Sequence, residues 1–165
     1  MQRPSNTGAF LQNWVVAGLL AFGFTLSGCD HGLRPPDQPP TGAIRGVVTY
    51  SGTWPPLSEV IDLRFVAMRF VPTDTADFLQ LNRMAISDRL DYNVSSDSFM
   101  VLNVQIGGFF YSGIAQQFEN NILSWQPIGL YEDNDGFFSV EQGRTTDIKI
   151  HVDFSSRPPF PPTTL

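Results

Sequence analysis

Four sets of side chains in this 165-residue chain have types that could do chemistry. The first is the single thiol, Cys29, which follows Leu26, Ser27 and Gly28 at the end of an apolar run. A cysteine is the most nucleophilic of the ordinary side chains, and with no second cysteine in the chain it has no internal disulfide to enter. The second set is the acidic turn Glu132, Asp133, Asn134, Asp135 and Gly136. Calcium takes several oxygen ligands from a compact loop turned by a glycine. Taking Gly136 as that glycine places Asp133 and Asp135 on ligand positions. Tyr131, however, stands where the first aspartate belongs, and Gln142 where the closing glutamate belongs. The stretch therefore reads as a tight hairpin turn, with Asp133 and Asp135 as a weak calcium candidate.

The third set is His151 with Asp147 and Asp153, which alternation places on one strand face. A histidine–carboxylate pair becomes catalytic when it holds a nucleophile. No serine lies in a nucleophile-elbow context, so no catalytic residue is assigned and the chain reads as non-enzymatic. Two histidines without a free thiol leave too few ligands for a recognisable metal motif, and no cofactor is implied. The fourth set, Trp54, Trp125 and Tyr131, could form an aromatic platform for a glycan or peptide, or could pack in the core and at strand edges.

The elements that position these groups begin with the apolar segment. Trp14 to Leu26 reads WVVAGLLAFGFTL, with Thr25 its only polar side chain. That is short of the roughly 20 residues a spanning helix needs. An N-terminal region carrying Arg3 and no acid, then a short apolar core, then small residues, is the layout of a secretory signal. Leu26-Ser27-Gly28-Cys29 resembles the lipobox of bacterial lipoproteins. The resemblance implies removal of a signal peptide spanning residues 1–28 and attachment of diacylglycerol to the Cys29 sulfur as a thioether. It also implies acylation of the new amino group. One acyl chain binds a membrane only marginally, at roughly 0.8 kcal/mol per buried methylene, whereas two or three anchor stably. A bacterial cell envelope location follows, with the choice of membrane and the facing of the domain left open.

All 16 acids lie beyond Gly28, with nine of the 10 basic residues, so the body is more acidic than the chain's net charge of −6. Lys149 is the only lysine. Nucleic acid binding needs clustered cations, which this composition lacks. An anionic membrane surface would repel the body, leaving the lipid as the anchor.

Residues 29–42 carry four prolines and few apolar side chains, the composition of an extended tether. Residues 155–165 carry four more and read as a proline-rich tail that adds little to a core. Between them, residues 43–154 hold one domain, which at this length can build a real core. Its dominant period is two. Ala43 to Tyr50 sends Ile44, Gly46, Val48 and Tyr50 one way, and Val60 to Val71 sends Ile61, Leu63, Phe65 and Ala67 one way. Ser98 to Val104 sets Phe99, Val101 and Asn103 against Met100, Leu102 and Val104. Thr146 to Phe154 alternates Ile148, Ile150, Val152 and Phe154 with polar residues. Gly107-Gly108 turns into a strand over Phe109 to Phe118. Pro127 marks a bulge or an edge in Ile122 to Glu132. Asp74 to Met84 is a loop with a helical turn capped by Asp74 or Thr75, and Ala85 to Leu90 is a weak strand.

The expected fold is all-β, a single small antiparallel β-sandwich of about seven strands. The order of Ile44-Arg45-Gly46-Val47-Val48, Ser51-Gly52, Trp54-Pro55, Phe99 to Val104, Gly107-Gly108 and Gly143 resembles the transthyretin-like sandwiches of the carboxypeptidase regulatory-like class. That resemblance concerns a fold that hosts many roles. The expected function is an envelope lipoprotein whose sandwich is a binding or structural module for an envelope protein or glycan. The alternative is a carbohydrate-binding accessory protein or small hydrolase with a shallow loop site.

Overall fold

The structure, a computed structural model, describes residues 39–162. The expected signal segment, Cys29 and most of the tether lie outside the described residues. Nine strands are present among the described residues: β1 Thr41–Ser51, β2 Asp62–Met68, β3 Met84–Arg89, β4 Ser96–Gln105, β5 Gly107–Phe109, β6 Tyr111–Gln117, β7 Trp125–Leu130, β8 Phe138–Val140 and β9 Thr145–Asp153. They form a three-stranded sheet in the order β4-β1-β9, a four-stranded sheet in the order β3-β2-β6-β7, and a β5-β8 ribbon. The fold is a small all-β sandwich, as the alternation anticipates. The extra strands arise partly because the stretch Phe109 to Phe118 divides at Phe110 into β5 and β6. Gly107 and Gly108 are part of β5. Among the described residues no helix is long and apolar enough to cross a membrane.

In β1, Ile44 and Val48 are fully buried while Arg45, Val47 and Thr49 face solvent. Gly46 takes an inward position because it faces Phe99 of β4, whose ring occupies the space a Cβ would need. Phe99 then stacks on Phe65 of the other sheet at 4.3 Å between centroids. One aromatic pair thus bridges the two sheets, and its area burial and ring geometry both favour the contact. The β4 alternation breaks at Asn103, which sits at φ 56° where the β1–β4 register slips. Asparagine tolerates that left-handed backbone, and the extra residue re-aims the side chains after it. Val104 is consequently buried and Asn103 exposed, the reverse of the uninterrupted alternation.

The first and last strands pair in parallel, from Ala43 with Thr145 to Ser51 with Asp153. The other described strand pairs are antiparallel. A parallel pair needs a long crossover, and here nearly the whole domain serves as that connection. At the sandwich edge β7 approaches β9 closely: a Cβ on Gly129 would lie 2.7 Å from the His151 carbonyl oxygen. Pro127 sits in β7, an edge strand, next to a register shift, as its missing N–H requires.

Strands β2 and β6 are covered on both faces. Leu63, Phe65, Ala67 and Ile114 enter the inter-sheet core, while Val66, Met68 and Ala115 enter a second cluster on the outer side. That outer cluster is roofed by the 3-10 turn Thr75–Leu79, whose Phe78 is buried. Asp74 caps this turn by accepting from the Ala76 N–H at 2.8 Å. The Asp77 carboxyl is held below the ordinary carboxylate range, chiefly by the Thr73 N–H at 2.7 Å. The proline-rich tail completes the roof: Phe160 packs on Phe78 with centroids 5.6 Å apart. Arg157 lies over the Phe118 ring at 4.9 Å. The tail is therefore part of the packing, contrary to the expectation that it adds little.

Candidate functional site

The parallel register of β1 and β9 builds a ladder of polar side chains on the outward face of that sheet. Arg45 stands opposite Asp147, Val47 opposite Lys149, Thr49 opposite His151, and Ser51 opposite Asp153. Arg45 donates two hydrogen bonds to the Asp147 carboxylate, at 2.6 and 3.0 Å. Its guanidinium holds that carboxyl below the ordinary range.

His151 has hydroxyls at both ring nitrogens, Thr49 Oγ1 at 3.0 Å from Nδ1 and Ser51 Oγ at 3.0 Å from Nε2. A neutral imidazole donates through one nitrogen and accepts through the other, so the ring bridges the two hydroxyls. His151 pairs with neither Asp147 nor Asp153, and stands on an exposed polar face. Asp147 is taken by Arg45, and Asp153 accepts the Ser155 N–H at 2.9 Å. Thr49 and Ser51 are the neighbours of His151 that sequence reasoning misses. Alternation assigns a residue to a face, but the neighbour across β1 and β9 is set only by their parallel register.

Beside this ladder runs a groove of about 860 Å³. Val47, Thr49, Lys149, His151 and Asp153 line it, together with Glu132 and Asp133 after β7 and Ser156 to Pro159 of the tail. No carboxylate lies within ion-pair distance of Lys149 among the described residues. The groove thus offers the Lys149 ammonium, the Arg157 guanidinium, the carboxylates of Glu132, Asp133 and Asp153, and a hydroxyl–imidazole bridge. Such groups are able to hydrogen-bond a polar ligand. In place of the carboxylate that orients a catalytic histidine, Nδ1 meets a threonine hydroxyl.

The acidic turn departs from a hairpin. It leaves β7 and enters β8, which pairs with β5, so it joins two sheets instead of two neighbouring strands. Asn134, Asp135 and Gly136 all adopt left-handed backbone, with φ of 51°, 55° and 77°. These residue types tolerate that region. Asn134 Nδ2 donates to the Phe137 carbonyl at 3.1 Å and locks the turn. Among the described residues no group of three or more His, Cys, Asp or Glu gathers as a metal would need, so Asp133 and Asp135 have no third such ligand beside them.

The structure does not bring Trp54, Trp125 and Tyr131 into one platform. Trp54 is held among Tyr50, Tyr92 and Phe154 at 4.7, 5.2 and 4.5 Å, and its Nε1 donates to the Val94 carbonyl at 3.2 Å. Trp125 packs on the outer cluster. Tyr131 meets Phe138 edge-on at 5.7 Å. Trp125 opens β7 and Tyr131 follows its last residue, which separates them by about 20 Å at the rise of a strand. All three are packing residues. Burial also raises the Tyr50 hydroxyl above its ordinary pKa, and that hydroxyl has no hydrogen-bond partner among the described residues. The lipobox residues Leu26, Ser27, Gly28 and Cys29 lie outside the described residues.

Comparison with protein-family models, with curated proteins and with solved structures finds no match to this chain.

Proposed function

We propose that the protein is an exported bacterial envelope lipoprotein, anchored to a membrane through lipid on Cys29. Its sandwich acts as a non-enzymatic binding or structural module. The observation that carries this reading is Leu26-Ser27-Gly28-Cys29 closing a short apolar run, with strand β1 starting only a proline-rich connector later. The expected transthyretin-like character rests on the order of the sequence motifs and belongs to the same reading. The polar groove beside β9 is the surface for contact with an envelope protein or glycan, since its charges of both signs lie exposed.

Replacing Cys29 with alanine tests the anchor. The expected result is transfer of the protein from washed membranes to the soluble envelope fraction, because the acidic body repels anionic lipid headgroups. Retention of Cys29→Ala in washed membranes overturns the reading. A hydrolytic reading has one observation in its favour, the 3.0 Å contact of Ser51 Oγ with His151 Nε2. Turnover of a chromogenic ester that disappears in Ser51→Ala would establish it. The Thr49 contact at Nδ1 favours the non-enzymatic reading.

A further inference from the structure

The four edge strands of the sandwich, β3, β4, β7 and β9, are not built alike. An edge leaves a row of backbone groups unpaired, and a bulge twists that row away from a strand that could add to it. β3 advances three residues, Arg89 to Ile86, where β2 advances two. β4 advances three, Val104 to Val101, where β1 advances two. β7 advances two, Gly129 to Pro127, where β6 advances one. β9 carries no such extra residue: Thr145 to Asp153 stay in unbroken register with β1. The β5-β8 ribbon is regular too, but offers only three residues a strand.

The phase of the β1 ladder fixes which groups β9 leaves free. Just before β9 the Arg144 carbonyl accepts from the Ala43 N–H, and just after it the Phe154 N–H donates to the Ser51 carbonyl. Even-numbered residues therefore turn their backbone groups to β1, and Asp147, Lys149 and His151 turn theirs to the open side. β7 meets this side at its far end, where Gly129 lies against the His151 carbonyl. The backbone N–H and C=O of Asp147 and Lys149 have no partner among the described residues, and beside Lys149 lies the groove.

The charges on the edge decide what can occupy it. Lys149, the only lysine, stands exposed in mid-strand, and a lysine there ordinarily discourages pairing. A second copy of β9, antiparallel about a two-fold axis, meets this charge differently in each register. Centred on Lys149, the pairing sets ammonium against ammonium; centred on Asp147, it sets carboxylate against carboxylate. Centred on Ile148, it sets Lys149 opposite Asp147 twice, once on each side of the axis. Opposite charges directly across a pair stabilise it and like charges oppose it, so one register is selected. In that register Asp147 and Lys149 occupy hydrogen-bonded positions, where each pair exchanges two backbone bonds. Asp147 would then lie between Arg45 of its own chain and Lys149 of the second copy, and Lys149 would gain the carboxylate it lacks within one chain.

We propose that β9 is a self-association edge: two copies pair antiparallel through Asp147 and Lys149 about an axis at Ile148. Their three-stranded sheets then continue as one, and the two-fold contact closes on itself as a dimer. The inference does not depend on the Cys29 lipid.

The test is sedimentation equilibrium of the full chain in a density-matched neutral detergent, with circular dichroism confirming that each variant is folded. The wild-type mass is expected to rise from one chain to two across the micromolar range. Lys149→Asp should weaken the dimer by about tenfold or more, because it sets like charges opposite each other twice. Combining Lys149→Asp with Asp147→Lys exchanges the two charges and should restore it. Lys149→Pro removes an N–H that β1 does not use, and should leave a folded monomer. A monomeric wild type, a mass that climbs beyond two chains, or a dimer indifferent to Lys149→Asp overturns the proposal. Failure of the charge exchange to restore the dimer overturns the register and with it the proposal. One copy bound to a different polypeptide and released by Lys149→Pro would assign the edge to a foreign strand, and overturns self-pairing too.

Discussion

The two sheets of the sandwich share one core and differ in what covers their outer faces. Sheet β4-β1-β9 turns its outer face to water, where Arg45, Thr49, Lys149 and His151 stand in a polar ladder. Sheet β3-β2-β6-β7 hides its outer face under the 3-10 turn at Thr75–Leu79 and the returning tail. A half-exposed strand must alternate polar and apolar residues, whereas a strand covered twice can be apolar throughout. Val66, Ala67 and Met68 are accordingly buried in succession, and so are Ser112 to Gln116. The cost of the second arrangement appears as polar groups trapped inside. Ser112 Oγ and Gln116 Oε1 have no partner among the described residues, although Gln116 Nε2 donates to the Glu59 carbonyl at 2.8 Å.

The largest effect is expected where the two sheets meet. Phe65 is fully buried and stacked on Phe99, so Phe65→Ala removes a bridge common to both and should lower stability by about 4 kcal/mol. Urea unfolding measures it. A loss under about 1 kcal/mol would mean that the core can collapse around the gap, which close packing argues against.

A smaller effect separates the sheets. Phe160 is half-buried on Phe78, so Phe160→Ala should cost about 1–2 kcal/mol, less than a core truncation. No change in the urea midpoint would show that the tail rests on the outer cluster without stabilising it. The two outer faces would then be energetically alike, and the contrast between the sheets would fail.

The same contrast explains how much of the molecule can be read before its structure. Ile44 and Val48, and Ile148, Ile150 and Val152, alternate cleanly because their sheet has one wet face. Pro127 announces its edge position, and Asp74 its cap, through local chemistry that needs no tertiary context. Phe160 carries no comparable signal, since four prolines around it suggest an extended chain and its partner Phe78 is distant in sequence. The bulge at Asn103 depends on a single left-handed residue that periodicity cannot register. The Ser51–His151–Thr49 bridge is invisible for a different reason. It needs the pairing of the first strand with the last, in parallel and in one register, and local patterns describe each strand alone.

The polar ladder should contribute least to stability. Arg45 and Asp147 are both exposed, and such pairs are weakened by solvent and by salt, with a screening length of about 8 Å at physiological ionic strength. Arg45→Ala is therefore expected to leave the melting temperature at neutral pH within the scatter of replicate melts. Its signature is protonic. The Asp147 carboxyl lies below the ordinary range because Arg45 bonds to it, so a carboxyl-detected NMR titration should show it rising toward that range in the variant. A folded-state pKa below the unfolded value adds stability that is present above the ordinary carboxylate range and lost as pH falls through the depressed value. The wild-type protein should accordingly lose a small increment in that acid window that Arg45→Ala lacks. A drop of several degrees at neutral pH would instead make the ladder a clamp between the first and last strands. The Arg45–Asp147 pair would then be structural, and the groove beside it, which neither residue lines, would keep its own charged groups for a ligand.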